Sequence, residues 1–448
     1  MRITRTLNPC YIIILLWTAI VVLSNQTLFK SPTFKDKFYL IEPMNILKVK
    51  YTLGLLLLTA AISCGETKPE TQTETAQNWY KGNLHTHSYW SDGDEFPEVI
   101  LDWYKSRDYE FMALSDHNTI AYGEKWVTIR EDSIYKNSFQ NYLKAYGPDW
   151  VEYKIDSGQT LVKLKTYEEY RDKLEENGDF LVIRSEEITD KYEDKPIHMN
   201  ATNIQEKIEP MGGASVAEVM QNNINQVIEQ RKKTGVPMIP HINHPNFYYS
   251  ITLDDMMSLN GERFFEVYNG HPMVHNMGDT THISTEEMWD LINISYLKNN
   301  KPLMYGLATD DSHHYHNKGK SWSNAGRGWV MVQADTLSAV SLINSLESGN
   351  FYSSTGVELK TLTYQNNTIS VEIEPELGVT YEISFIGCKK GQTQTETLNV
   401  VNESLAAFEV TEDLLFARCK VTSSKLQENP IENIRYEMAW TQPVTHTE

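Results

Sequence analysis

Cysteine is scarce in this chain: 448 residues hold four, Cys10, Cys64, Cys388 and Cys419. None stands in a CxxC pair, which argues against a thiolate zinc knuckle. Cys388 and Cys419 either pair in an oxidising compartment or stay apart as buried thiols. Positive charge is also in short supply, with 40 Lys and Arg against 60 Asp and Glu and a net charge of −20. Broad nucleic-acid binding needs positive charge to displace counterions, so a surface this acidic argues against it. Some of the acidity is free to serve cations, since carboxylates are metal ligands. No internal repeat is present. Hydrophobic content of 40% and charged content of 22% are ordinary for a folded, soluble protein. The length suits a barrel-sized domain plus a smaller one.

Long apolar runs occur only near the N-terminus. Tyr11–Ser24 has the length of a signal-peptide core and is short for a membrane span. From Met44 the chain reads MNILKVKYTLGLLLLTAAISCGE, with Lys48 and Lys50 ahead of the apolar Leu53–Ala61. Ala61-Ile62-Ser63-Cys64 then resembles a bacterial lipobox, although Leu is commoner than Ala at its first position. The expectation is a lipoprotein signal peptide over 44–63, a true start at Met44 and a lipidated Cys64. The alternative is one tandem-hydrophobic anchor. Both readings export the protein to the cell envelope, periplasmic or outer-membrane associated, and membrane contact would run only through the anchor. Residues 65–78 are polar and read as a flexible tether.

Further on, ligand-type residues repeatedly follow short apolar runs. Trp79–Leu84 leads to His85, Phe111–Leu114 to Asp116 and His117, and Phe180–Ile183 to Glu186 and Glu187. His198 lies in PIHMNATN. Val236–Ile239 leads to His241 and His244, Phe264–Val267 to Tyr268-Asn269-Gly270, and Leu303–Leu307 to Asp310, Asp311 and His313. Such runs read as buried strands with functional C-terminal ends. Helical patterns fall between them at Pro97–Arg107, at Thr166–Glu176 with a Thr-x-x-Glu capping box, and at Ala214–Lys233. Alternating strands and helices imply βα units in a barrel or doubly wound sheet, with chemistry at the strand ends. Residues 121–178 exceed a normal connection and read as an insertion covering the mouth of the site. From about Gly356, short alternating segments predict a small all-β sandwich. The chain thus divides into a targeting region 1–64, a linker 65–78, a catalytic domain 79–355 and a sandwich 356–448, which packs on the first or binds a glycan.

Twelve of the thirteen histidines lie between His85 and His316. In His85-Thr86-His87, residues two apart on a strand face one way, as a shared metal requires. Ser91-Asp92-Gly93 puts a carboxylate on a tight turn nearby. Asp116 is a candidate to fix the tautomer of His117. Glu186 or Glu187 offers a bridging carboxylate, and Asp311-Ser312-His313 adds oxygen and nitrogen donors. Mixed His and carboxylate ligands suit Zn, Mn or Fe, and bridging suits a multinuclear centre that activates water without a covalent nucleophile.

In order, GNLHTHSYWSDG, ALSDHN, IRSEEIT, His198, NHPNF and ATDDSHH resemble the motif series of the PHP (polymerase and histidinol phosphatase) superfamily. GRGWVMVQADTLSAVSLINSLESGNFYSSTG resembles its CehA/McbA-like branch. The likeness spans Trp79–Gly356. It implies a distorted seven-stranded (β/α) barrel binding two or three divalent ions. The implied ligands are His85, His87, Asp92, His117, Glu187, His198, His244, Asp311 and His313, with Glu186, His241 and Asp310 as rivals; here Ser185 replaces the family's usual Gly. The catalytic candidates are Asp92, His117, His244 and Arg327. Arg327 would hold a substrate anion by a bidentate contact, the alternative being a barrel-closing ion pair. His314 and His316 are candidate acids, His271 and His275 candidate mouth residues, and Tyr89, Trp90, Phe247, Tyr248 and Tyr249 a candidate apolar wall. The implied activity is hydrolysis of small phosphate esters. Carbamate or carboxyl esters are the alternative, and a domain that had lost ligands would be a binding module.

Overall fold

The computed structural model describes residues 78–431 and 434–447, all within one compact unit, Glu74–Glu448. The lipobox, Cys64 and the start at Met44 lie outside the described residues. Among the described residues no helix is long and apolar enough to cross a membrane.

Strand β1 (Asn78–Asn83) lies parallel to β2 (Phe111–Leu114), with Gly82 opposite Phe111. Only glycine fits there, because a Cβ would meet the Phe111 ring at 2.3 Å. Helix α1 (Pro97–Lys105) connects them and buries Ile100, Leu101 and Tyr104. Its Pro sits in the first turn, where no N–H is needed.

The insertion forms β3 (Trp126–Thr128), α2 (Ser133–Tyr146), β4 (Tyr153–Asp156), β5 (Gln159–Lys163) and α3 (Tyr167–Leu174). Its strands make their own sheet, in the order β3-β5-β4. Thr166 and Glu169 form the predicted capping box of α3. The insertion packs on α1, where Tyr142 Oη and Trp150 Nε1 both donate to Glu98 Oε1 at 2.7 Å.

Next come β6 (Leu181–Tyr192), β7 (Lys195–Thr202), α4 (Val216–Thr234), β8 (Ile239–Ile242), α5 (Leu253–Ser258), β9 (Phe264–Asn269), α6 (Thr285–Lys298) and β10 (Tyr305–Thr309). On α4, Val216, Val219, Met220, Ile224 and Val227 are buried, giving one apolar face. Ser215 caps its start, and Gly235 ends it in the left-handed region at φ 71°. Seven strands follow one another in the order β10-β9-β8-β7-β6-β2-β1. They pair in parallel except for β7, which is antiparallel to both neighbours. The reversal follows from the two-residue turn after Tyr192, which leaves no room for a crossover helix. Beyond the two ends of the run, Thr86 and Ser312 form a parallel bridge.

The sheet continues from β1 through β11 (Trp329–Ala334) and β12 (Phe351–Ser354), which α7 (Ala339–Glu347) connects. The remaining chain is antiparallel β: β13 (Leu359–Gln365), β14 (Thr368–Ile373), β15 (Tyr381–Lys389), β16 (Glu396–Val401), β17 (Leu405–Glu409), β18 (Leu414–Ile431) and β19 (Ile434–Thr441). β13-β14-β17 form a separate sheet, while β19, β18, β15 and β16 extend the large one from β12. Ile369, Val371, Ile383, Phe385 and Val421 share a core between the two sheets. Ile431, Ile434 and Trp440 join the core around α4 and β9 instead. Arg418 on β18 is buried and grips α6, with Nε 2.7 Å from Asp290 and a terminal nitrogen 3.1 Å from Glu286. Cys388 and Cys419 are both free and buried, since the register sets them opposite Phe416 and Phe385.

Candidate metal centre

All nine implied ligands converge on one point. His85 and His87 follow β1, held by Asp311 N donating to His85 O (3.0 Å) and His87 N donating to Ser312 O (2.9 Å). Asp92 rides on a turn closed by Gly93, where a Cβ would lie 2.5 Å from the His87 carbonyl oxygen. His117 follows β2 and bridges to Glu187 on β6. His198 comes from β7, His244 from beyond β8, and Asp311 and His313 from beyond β10. His244 and Asp311 adopt the left-handed backbone, at φ 25° and 50°.

The distances are those of a shared coordination space. The Nε2 atoms of His85 and His87 face each other at 3.1 Å, and each lies 3.3 Å from Asp311 Oδ1. Glu187 Oε1 is 3.1 Å from His198 Nδ1, and its Oε2 is 3.3 Å from His87 Nε2. Asp92 Oδ1 is 3.5 Å from His117 Nε2 and 3.4 Å from His313 Nε2. Five overlapping groups could each hold an ion: His87-Asp92-His117-His313, His85-His244-Asp311, His85-His87-Glu187, His117-Glu187-His198 and His85-His241-Glu266. Glu187 belongs to two of them. Its Oε2 is buried without a hydrogen bond, although His117 Nδ1 is only 2.7 Å away. The sulfur-free mix of imidazole and carboxylate donors suits a divalent metal ion.

The electrostatics agree. Burial alone would raise the pKa of Glu187, but His117, His198 and His85 outweigh it and hold the carboxyl well below its ordinary range. Asp311 is held down in the same way against its burial, by His85, His87 and His313. Burial would lower His117, yet Glu187 and Asp92 push it up to about 11. Burial, with His313 and His117 beside it, brings His87 down to about 3. Protons on histidine thus balance the carboxylates here, and a cation would compete for the same lone pairs.

Two of the three rivals point elsewhere. Glu186 faces the opposite side of β6 and accepts from Ile208 N at 2.5 Å. Asp310 folds the following loop, accepting from Arg327 N at 2.5 Å, Gly328 N at 2.8 Å and Tyr104 Oη at 2.7 Å. His241 does not: it is buried 3.5 Å from Glu266, and with His85 and Glu266 it forms a further group that could hold an ion. Asp116 does not orient His117. It accepts from Ser88 N and Ser91 Oγ, both at 2.7 Å, and so pins the turn that carries Asp92. Thr189 Oγ1, 2.5 Å from His117 Nδ1, takes the orienting place.

Arg327 departs from the expectation of anion binding. All five of its N–H donors are taken, by the carbonyls of Asn429, Gly270, Trp322 and Gly319 and the side-chain oxygen of Asn429. It holds loops together and has nothing left for a substrate.

Sequence reasoning missed Glu266. Its Oε1 lies 2.7 Å from His85 Nδ1 and accepts from Thr309 Oγ1 at 2.7 Å, while Oε2 accepts from His244 N at 2.9 Å and Asn269 Nδ2 at 2.7 Å. A carboxylate on Nδ1 directs Nε2 into the cluster. Asn243 was missed too, and donates to Glu187 Oε1 at 2.7 Å. The signal for Glu266 was a lone acid inside FFEVYN, because a charge in a buried strand needs partners.

The cluster floors a cavity of about 350 Å³. Phe247, His271, Met273 and His314 join the ligands around it. No residue of 121–178, the insertion expected to cover the mouth, is among its lining residues. Tyr89 and Trp90 belong to the core, Tyr248 is exposed, and Tyr249 stacks between His275 and His282. His316 turns away, 2.9 Å from the Asp94 carbonyl.

No protein-family model matches the chain, and no curated protein does. Solved structures do resemble it. A two-domain protein containing a predicted PHP-like metal-dependent phosphoesterase from Bacteroides vulgatus is 14% identical, with 82% of this chain and 96% of that one covered and a TM-score of 0.35. A proposed metal-dependent phosphoesterase from Bifidobacterium adolescentis is 10% identical, covering 60% and 94%, with a TM-score of 0.28. An amidohydrolase from Chromobacterium violaceum, with bound sulfate and no metal, is 12% identical, covering 52% and 87%, with a TM-score of 0.24. Likenesses this distant assign neither a family nor an activity to the chain.

Proposed function

We propose that this chain is a metal-dependent hydrolase of the PHP type that cleaves small phosphate esters. The convergence of nine nitrogen- and oxygen-donor residues, seven of them lining one cavity, carries the reading. The run of seven strands and the Thr86–Ser312 bridge support a distorted barrel closing between β10 and β1. His85, His87, Glu187 and Asp311 would hold one ion, with Glu187 also serving a second beside His117 and His198. Asp92 and His313 beside His87 and His117, and His244 beside His85 and Asp311, complete the set. Two or three divalent ions outweigh the three carboxylates Asp92, Glu187 and Asp311, which leaves a positive floor for an anionic ester. When bound, such ions make hydroxide available at neutral pH and neutralise charge developing on the ester oxygen. The protein's part is to orient the ligands through Glu266, Asn243 and Thr189, and to present His271 and His314 where a leaving group can exchange a proton.

One observation favours carbamate or carboxyl esters of the CehA/McbA type as a second reading. No Lys or Arg lines the cavity, and Phe247 and Met273 stand at its mouth. Metal analysis of the purified chain beside His117→Ala, followed by an ester panel with each metal, tests both. Two to three Zn, Mn or Fe per chain, fewer in the variant, with phosphate-ester turnover would support the first reading. Turnover of aryl carbamates or acetates alone would replace it with the second. Negligible metal that added ions do not restore would refute both. We further propose export with a true start at Met44 and an anchor on lipidated Cys64; a native N-terminal peptide from before Met44 would contradict that start and that anchor, leaving the tandem-hydrophobic anchor as the route of export.

A further inference from the structure

A larger cavity, of about 730 Å³, lies apart from the metal centre and shares no residue with it. One wall comes from β1, β11 and the turn between α7 and β12. The other comes from β13 and the stretch after β19. Its volume falls within the range of about 300–1,000 Å³ usual for small-molecule sites.

Its composition is unusual for this chain. None of its lining residues is Asp, Glu, Lys, Arg or His, although 22% of the sequence is charged. A charged ligand entering such a site would lose hydration and gain no partner, so the walls select a neutral one. Trp79, Tyr305 and Tyr364 supply aromatic surface. Between them stand the side-chain amides of Gln333, Asn350 and Gln365, which make no hydrogen bond to the described residues. Each amide offers two donors and an acceptor. A ligand matching both features has apolar C–H faces for the rings and a rim of hydroxyls for the amides.

We propose that this cavity binds a neutral saccharide. The site draws its walls from both the catalytic portion and the C-terminal strands. It would hold a glycan, or the sugar part of a larger molecule, away from the metal centre.

Calorimetric titration of the full chain with cellobiose, maltose, lactose and chitobiose tests this, with tryptophan fluorescence in parallel. Saturable binding of at least one disaccharide is expected. It should be insensitive to salt, intact in His117→Ala, and weakened at least about tenfold, or 1.4 kcal/mol, in both Trp79→Ala and Gln333→Ala. Gln365→Glu, at an exposed position that spares the fold, should weaken it as well. Absence of saturable binding across the four sugars would overturn the proposal. So would binding that keeps its full affinity in folded Gln333→Ala and Gln365→Glu.

Discussion

Glu266 touches no solvent, yet it governs the geometry of His85 and the backbone of His244. Replacing it with Gln keeps the shape but removes the charge that draws the Nδ1 proton. Metal affinity should fall roughly 10–100-fold, read by calorimetric titration of the apo chain with Mn or Zn. Unchanged affinity would mean that Glu266 merely fills space. Arg327→Met should act in the opposite sense. With buried carbonyls such as those of Gly270 and Trp322 left without this donor, unfolding free energy should drop by about 3 kcal/mol, while KM of the remaining folded enzyme stays put. At this scale the sequence was most informative where a ligand class recurs after an apolar run. It was least so where neighbours compete: in Glu186-Glu187 strand alternation sends one carboxylate to each side and the register is set by distant partners, while in Asp310-Asp311, beyond β10, the left-handed backbone of Asp311 decides.

Among the elements, β18 and α6 are tied by a buried ion pair whose partners lie far apart in sequence. Removing one side, as in Arg418→Met, should cost roughly 3–5 kcal/mol, because Asp290 would stay buried without its partner. The pair also predicts an acid response. Burial would raise Glu286, but Arg418 and Lys420 bring it from 4.5 down to about 2. A depressed carboxyl stabilises the fold fully above its unfolded pKa, so this contribution should fade as pH falls from about 4.5 towards 2. Urea midpoints across that window should drop less steeply in Glu286→Gln; equal slopes would show that other groups carry the response. Strand positions such as Phe111–Leu114 were legible from apolar runs. The reversal of β7 was not, since a two-residue turn and a crossover both begin with polar residues. Glu396–Val401 escaped notice because most of its side chains stay exposed and show no clear alternation.

For the whole molecule, the length left room for two regions, but the described residues form one compact unit, and the strand pairing that joins them was invisible. β19 registers against β12, with Ser353 opposite Trp440, and periodicity carries no information about which distant strand supplies a partner. Truncation before Gly356 should therefore bare the edge of β12 and strip Ile431, Ile434 and Trp440 from the core. The expected product is aggregated, as size-exclusion chromatography after expression would show. A monomeric, active fragment would instead establish a separable catalytic domain at 79–355.

The left-handed backbone at His244 and Asp311 has a kinetic meaning. Non-glycine residues hold such angles at a cost of about 1–3 kcal/mol each, met by the surrounding fold. Two ligands are therefore already bent into place while the ions are still in solution. Loading and exchange of metal should need no main-chain rearrangement, only the departure of protons.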